Sequence, residues 1–464
     1  MSQPLFRLRR DLRMQTPVKK NQHLILTIED LTYEGMGLAK VDGYPLFIAG
    51  ALPGEKIEAV VVKTRKNFGY ARALKYLTKS PDRVEDNQQQ AGITPLGHLK
   101  YAAQLNFKRN QIQQLLKKAH LDQIEVEPVL GMDDPYHYRN KAQVPVRKIN
   151  GRLEVGFYRK GSHHFMSLKH FSIQDKRIDE ILQTVLNILN QFNLSAYDEQ
   201  TGKGLIRHLM VRRGYYSHEA MVVIVTNGES FPHGDKIAEM IMNSQKDVQS
   251  VIQNVNNRQT NVILGQKDKV LAGKSTITDE LNGLKFEISA HSFYQVNPQQ
   301  TEKLYQQAIR KAGLTGNETV IDAYCGIGTI SLTMAKHAKK VYGVEIVPEA
   351  IEDAKRNASL NNLTNVDFEV GNAEEWMAKW SQQGIKPDVI MVDPPRKGLT
   401  SSLIESACEM QPKKVVYVSC NPATLVRDIQ TFIEHGYYVT QPIQPVDQFP
   451  QTPHVESVTV LEKR

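Results

Sequence analysis

The sequence predicts a multidomain α/β protein, and three observations carry that prediction. The chain has 464 residues, too many for one ordinary hydrophobic core, which points to two to four domains. Between residues 17 and 77, short apolar runs are separated by turn signals, with no helical period. From about Thr301 onward, strand-like and helix-like stretches alternate regularly. The first pattern is that of a small OB-like β-barrel, and the second that of a parallel sheet wound by right-handed crossovers.

A basic tail over 1–16 opens the chain. The first 20 residues carry six basic groups, among them Arg7, Arg9, Arg10 and Arg13, against one acidic group. No apolar run follows, so the tail does not read as a secretory signal. The barrel spans 17–77, with strands predicted at Leu24–Ile28, Leu46–Ile48, Ile57–Val62 and Ala71–Leu77. Tyr33-Glu-Gly-Met-Gly, Asp42-Gly43 and Pro53-Gly54 are the turns between them. The segment Lys63-Thr-Arg-Lys-Asn-Phe-Gly-Tyr sets cations beside aromatics, as a surface that grips phosphate and stacks bases does. A solvated hairpin with ordinary core aromatics is the alternative.

Residues 80–90 are polar and read as a linker. Residues 91–285 form a central α+β domain. It has a helical pattern within 98–120, another over Ile178–Phe192, and strand-like runs at Gln143–Val146, Val155–Tyr158, Leu209–Val211 and Met221–Val225. In the last domain, 286–464, the spacing predicts helices over 301–313, 329–338, 348–361, 400–410 and 423–435. Strands fall at Thr319–Tyr324, Lys340–Glu345, Val366–Val370, Asp388–Val392 and Val415–Ser419. That alternation is Rossmann-like.

The net charge of +8, with basic clusters at Arg139–Lys141, Arg147–Lys148, Arg159–Lys160 and Arg212–Arg213, favours a polyanionic partner. Hydrophobic content of 41% and charged content of 23% are those of a soluble globular protein. No apolar stretch approaches the roughly 20 residues that cross a bilayer. The three cysteines, Cys325, Cys408 and Cys420, exclude a disulfide framework and fit a reducing, cytoplasmic compartment. None has the spacing of a zinc site.

The turn Asp322-Ala-Tyr-Cys-Gly-Ile-Gly-Thr follows the first strand of the alternating domain and lets backbone approach a ligand at the sheet's carboxyl edge. The next strand ends on Glu345, where a carboxylate can accept both hydroxyls of a ribose. A dinucleotide site shares this logic. Here, however, Gly326-x-Gly328-x-x-Ser331 lacks the third glycine that a pyrophosphate site uses. S-adenosylmethionine has no pyrophosphate, and the turn favours it as cofactor. Asn372, after the third strand, is placed for the adenine edge. Asp393-Pro-Pro-Arg-Lys-Gly398, after the fourth, makes a rigid turn suited to an active-site wall.

Cys420 follows the fifth strand, and Asn421-Pro422 then starts a helix. A lone cysteine is commonly a small buried hydrophobe. Its place beside a cofactor site makes Cys420 the candidate nucleophile, and the helix N-terminus is expected to lower its pKa. A thiolate adding to C6 of uracil turns C5 into a nucleophile, and a base must later remove the C5 proton. Near the C-terminus Glu456 alternates onto one face with Val458 and Val460. A carboxylate desolvated in this way suits a base; a charge on an edge strand fits the spacing equally.

Five segments make a family resemblance specific: Ser292-Phe-Tyr-Gln-Val-Asn297, Asp322-Ala-Tyr-Cys-Gly-Ile-Gly328, Asp393-Pro-Pro-Arg-Lys-Gly398, Val418-Ser-Cys-Asn-Pro422 and Phe449-Pro-Gln-Thr-Pro-His-Val-Glu456. On these, nearly end to end, the chain resembles the RNA (uracil-5-)-methyltransferases, and more narrowly the bacterial 23S rRNA enzymes with an N-terminal TRAM domain, which the barrel resembles. The resemblance implies that Gln295, Tyr324, Thr329, Glu345, Asn372 and Asp393 hold S-adenosyl-L-methionine. It implies Cys420 as nucleophile, Glu456 as proton acceptor and Phe293 as the aromatic beside a flipped base. Arg139 and Lys141 are candidates for contacting the RNA. The expected partner is RNA, 23S rRNA above all, with no membrane, and the enzyme is expected to act as a monomer. Many relatives bind an iron–sulfur cluster through four cysteines. Here Glu85, Ala91, Thr94 and a position near Phe171 stand in their place, which implies no iron–sulfur cluster. A tRNA uracil-5-methyltransferase, an adenine amino-methyltransferase and a non-catalytic RNA-binding assembly factor are the rival readings.

Overall fold

A computed structural model describes residues 16–85, 92–158 and 164–464. The arginines of the basic tail, Ala91, most of the polar linker and Arg159–Lys160 lie outside the described residues. The chain forms two compact units, one running to Gln104 and including Gln451–Pro453, the other comprising Leu105–Pro450 and His454–Arg464.

The first unit is built on six strands, His23–Thr27, Asp30–Leu31, Gly37–Val41, Tyr44–Ile48, Lys56–Thr64 and Gly69–Thr78. Their spatial order is first, fifth, sixth, fourth, third, second. Alternation drives it: in Lys56–Thr64 the side chains of Ile57, Ala59 and Val61 face the core with Leu26, Leu46 and Ile48. The strand Gly37–Val41 escapes the sequence pattern because it opens on a glycine forced by close packing. A Cβ there would lie 2.8 Å from the Ala51 carbonyl oxygen. Phe47, Phe68 and Tyr70 stack edge-on or tilted at 5.5–5.9 Å between ring centres. All three are half-buried, while Lys63, Arg65 and Lys66 are exposed. The aromatics thus form a surface cluster and not part of the barrel core.

In the second unit, strands Lys141–Ile149, Arg152–Tyr158, Phe165–Ser167, Ile206–Arg213, Ala220–Thr226, Val248–Val255 and Lys267–Gly273 make a seven-stranded sheet. Its one parallel pair, Ala220–Thr226 with Val248–Val255, is joined through helix Gly234–Ser244. A hairpin, Ile277–Leu281 and Leu284–Ile288, leads into the second sheet. That sheet has the order Val366–Val370, Lys340–Glu345, Thr319–Asp322, Val389–Val392, Lys414–Ser419, Glu456–Lys463, Tyr437–Val439, with Gln444–Val446 also paired to Glu456–Lys463. The first five strands are parallel and the C-terminal ones antiparallel. Val389–Val392 is wholly buried, as a central strand covered on both faces must be. The winding reverses between Thr319–Asp322 and Val389–Val392, and the crevice beyond the carboxyl ends of those strands is where such sheets take ligands. Met210, Met221 and Val223 of the seven-stranded sheet share one core with Phe286, Leu304, Val320, Met391 and Val458. Among the described residues no helix is long and apolar enough to cross a membrane.

Candidate active site

The glycine turn after Asp322 is set by two positive φ angles, +52° at Gly326 and +86° at Gly328. A Cβ at Gly328 would press on Phe368 and Ala354 at 3.2–3.3 Å, whereas at Gly326 it would meet open space. The role of Ser331 is visible here. Its hydroxyl donates to the buried Asp322 carboxylate at 2.5 Å, so a third glycine would leave that carboxylate one bond short. Burial pushes the Asp322 acid up to about 6, against the pull of Ser331 and the Tyr324 N–H. Thr329, first residue of helix Thr329–Ala335, shares a hydrogen bond of 2.9 Å with the hydroxyl of Tyr305.

Cys420 and Glu456 are brought together by strand register. Ser419 pairs with Ser457 across an antiparallel ladder, so the residue after one and the residue before the other occupy opposing positions at the same edge. Glu456 is buried, 5% exposed. Its strand is flanked by Lys414–Ser419 on one side and by Tyr437–Val439 and Gln444–Val446 on the other, which removes the edge-strand reading. Asp393 directly follows the neighbouring strand Val389–Val392, and the Cys420 thiol approaches the carbonyl of Pro394 at 4.0 Å. Desolvation, then repulsion from a neighbouring carboxylate, raises both acids: Glu456 through burial and Asp393, Asp393 through burial and Asp322. Arg396 opposes the shift at Glu456.

The thiol behaves opposite to expectation. Burial first, then the carboxylates of Glu456 and Asp393, push Cys420 up to about 12. Helix Pro422–Glu434 does begin beside it, capped by Asn421. A helix N-terminus contributes about half a positive charge at its end, less than two neighbouring carboxylates and burial together. The consequence is measurable: alkylation of Cys420 by iodoacetamide should climb about tenfold per pH unit from 7 to 9, followed by peptide mass spectrometry. A rise of only about threefold between pH 8 and 9 would show a thiol that is not raised.

The proline turn is bolted to the helix behind it. Asn421 Nδ2 donates to the Arg396 carbonyl at 2.8 Å, and Arg427 to those of Lys397 and Leu399 at 3.0 Å. Asp428 accepts from the Leu399 N–H and the Tyr417 hydroxyl. Gly398, at φ +74°, has no room for a side chain: a Cβ would sit 2.6–2.8 Å from Arg427, Asp428 and Thr424.

The segment Ser292–Asn297 is held from several elements. Arg212 donates to the carbonyls of Ser289 and Ser292 at 3.0 and 2.8 Å, and the Ser292 hydroxyl donates to Asp353 at 2.8 Å. Asn140 donates through its side chain to the Gln295 carbonyl at 3.1 Å and through its backbone to that of Val296 at 2.9 Å. Phe293 is left 70% exposed. Lys141 pairs in register with Arg212; burial, then Arg212 and Arg139, lower its ammonium to about 8. The loop toward Glu456 hangs on Lys108, fully buried, whose ammonium pairs with buried Asp447 and donates to the Phe449 carbonyl. Replacing Lys108 by Met removes the ammonium that pairs with the buried Asp447 carboxylate and should cost about 3–5 kcal/mol, read as a lowered denaturation midpoint. K108M/D447L should recover much of the loss.

Cys420, Glu456, Asp393 and Thr329 therefore converge on the sheet edge, with Gln295 linked to the same loop through Gln448. Glu345 ends the adjacent strand and its Oε1 accepts from the N–H groups of Ile346 and Val347. Tyr324 is half-buried, its hydroxyl raised to about 12 by burial and by Glu374, Asp428 and Glu345. Asn372 is exposed and bonds Glu375 at 3.1 Å. Arg139 and Lys141 flank Asn140 below the Phe293 segment. Tyr305, Lys108 and Gln448 were not singled out in the sequence, where each falls in an ordinary helix or loop, and Arg212 stood out there only as part of a basic cluster. Among the described residues no group of three or more His, Cys, Asp or Glu side chains is placed to hold a metal ion.

Comparison with known proteins places this site in a family. Residues 100–464 match the model described as tRNA (uracil-5-)-methyltransferase, and residues 17–74 match the TRAM domain. An uncharacterized RNA methyltransferase of Lactiplantibacillus plantarum is 58% identical over 97% of this chain and 100% of its own length. One from Enterococcus faecalis is 51% identical over 96% and 98%. The crystal structure of Pyrococcus abyssi tRNA (uracil-54, C5)-methyltransferase in complex with S-adenosyl-L-homocysteine superposes with a TM-score of 0.77 at 27% identity, over 94% of this chain and 99% of that one. The chain belongs to the tRNA (uracil-5-)-methyltransferase family of RNA methyltransferases, with an N-terminal TRAM domain.

Proposed function

We propose that this enzyme transfers the methyl group of S-adenosyl-L-methionine to C5 of one or more uridines in 23S rRNA, with Cys420 as nucleophile and Glu456 as proton acceptor. The observation that carries the reading is the Ser419–Ser457 register, which sets a thiol and a buried carboxylate opposite each other at the ligand edge of the sheet. The chain fits the cofactor there. Gly326 opens onto free space, Glu345 stands at the ribose position, and Ile346, Val347 and Val370 expose an apolar rim that suits an adenine face. Gln295, Tyr324, Thr329, Asn372 and Asp393 complete the cofactor site. When bound, the cofactor would supply an electrophilic methyl group on a sulfonium.

The Cys420 thiolate adds to C6 of a uracil turned out of the RNA, breaking the C5–C6 double bond and placing charge on O4. C5 then takes the methyl group as the methyl–sulfur bond breaks and a neutral thioether leaves. Glu456 removes the C5 proton, the double bond re-forms and the thiolate leaves. The raised pKa of Glu456 matches a base working near neutral pH. Phe293, exposed at the mouth, stacks on the displaced base, and Arg139 and Lys141 meet its phosphates. The barrel (17–77) and central domain (91–285) bind RNA and 286–464 carries the chemistry, in a cytoplasmic monomer.

A tRNA substrate is the second reading, because the Pyrococcus abyssi enzyme is similar over 94% of this chain; a barrel alone does not separate the two. RNA bearing 5-fluorouridine tests the chemistry, since fluorine at C5 cannot leave as a proton and the adduct should stall covalently. Absence of that adduct would sink the mechanism. Mass mapping of rRNA and tRNA from cells lacking the protein tests the target: loss of 5-methyluridine from 23S rRNA is expected, and loss from tRNA alone would overturn it.

A further inference from the structure

Gln448 is fully buried and follows Asp447 in the loop toward Glu456. Its amide nitrogen donates to the Thr301 hydroxyl at 2.7 Å and the Asn297 carbonyl at 3.3 Å, and faces Gln295 Oε1 at 3.5 Å. Two of these partners decide which way the amide points. A carbonyl only accepts, and the Thr301 hydroxyl already gives its proton to that same Asn297 carbonyl at 2.7 Å. Toward Gln448, both are acceptors, so nitrogen and not oxygen must face them. The arrangement leaves Gln448 Oε1 buried with no hydrogen-bond partner among the described residues, an uncommon condition for a buried amide.

The same nitrogen meets Gln295, whose backbone is pinned by Asn140. A donor on that side makes Gln295 present Oε1 inward, which turns its own Nε2 the other way. We propose that Gln448 is a positioning residue that locks the Gln295 side chain with Nε2 as a hydrogen-bond donor to the ligand cleft, so that this point accepts an oxygen and refuses an amino group. The proposal rests on the reading of Gln295 as a ligand-holding residue, and adds the polarity of what it holds. A carboxylate or hydroxyl oxygen of the cofactor and a ring carbonyl of the base both present the acceptor required.

The test is a double-mutant cycle on methyl transfer to rRNA from cells lacking the protein, using wild type, Gln448→Leu, Gln295→Ala and the pair. Gln448→Leu should lower kcat/KM about tenfold in the wild-type background and less than twofold when Gln295 is already alanine. Equal losses in both backgrounds would show a merely structural role and overturn the proposal, as would no loss in the first. Should Gln448→Leu not fold, Thr301→Val removes one of its anchors and runs through the same cycle with the same expectations. Calorimetry with S-adenosyl-L-homocysteine identifies the acceptor: weakened binding assigns it to the cofactor, and unchanged binding with a raised KM for RNA assigns it to the base. A wild type that forms no 5-fluorouridine adduct, or a fully active Gln295→Ala, would instead sink the reading on which the proposal rests.

Discussion

Replacing Cys420 by alanine should abolish both methyl transfer and the 5-fluorouridine adduct, a loss of at least about 10⁴-fold in kcat. No other group can take over the addition. Cys325 is buried and its thiol raised well above the ordinary range by burial and by Asp322 and Glu345. Cys408 is half-buried against the core of helix Ser401–Glu409, its thiol pushed up to about 11 by burial. A Cys408→Ala control should therefore transfer methyl groups at close to the wild-type rate. Serine at position 420 should be nearly as inactive as alanine, because a site that holds a thiol at about 12 holds an alkoxide far higher. Denaturing gel mobility of labelled RNA reads the adduct directly. An adduct that survives in Cys420→Ala would move the nucleophile elsewhere.

Glu456→Gln should separate the two halves of the reaction. Gln keeps the shape and burial of the side chain but accepts no proton, so methylated RNA should remain attached to Cys420. Turnover should fall about 10²–10⁴-fold. The first half should not slow in step. Glu456 is the largest charge raising the Cys420 thiol, so removing it lowers the thiol pKa and favours the thiolate. Rapid-quench measurement on natural RNA should show a burst of adduct at least as fast as wild type, followed by slow release. Turnover equal to wild type would remove Glu456 as the base, and an adduct formed much more slowly would make it the group that activates Cys420.

The parts of this molecule legible in the sequence are those where one residue type permits one structure. Gly328 and Gly398 mark positive φ with crowding, Asn421-Pro422 marks a helix start, and the all-apolar run Val389–Val392 marks a central strand. Cys420 stood out because the alternation of strands and helices puts it at the same sheet edge as the glycine turn. What escaped is set by partners distant in sequence. Lys108 and Asp447 are 339 positions apart, and nothing local distinguishes Lys108 from the exposed lysines of the same helix. Tyr305 lies on an amphipathic helix as any core tyrosine does, yet its hydroxyl meets Thr329. The sign of the thiol's shift was misread for the same reason. The favourable helix is its sequence neighbour, while the opposing carboxylates arrive from strands 27 and 36 residues away.

One consequence of the ladder between Lys414–Ser419 and Glu456–Lys463 concerns change over generations of the gene. Side chains alternate faces along a strand, so a single codon gained or lost between Val446 and Glu456 would exchange the acid for a neighbour such as Val455 or Ser457. The stretch has little slack to absorb such a change, because Asp447 and Gln448 are buried within it. The connection is therefore expected not to tolerate indels, even though most of it has no regular secondary structure. Deep mutational scanning should show a sharp indel-intolerant window there, beside permissive surface turns such as the one at Gly384.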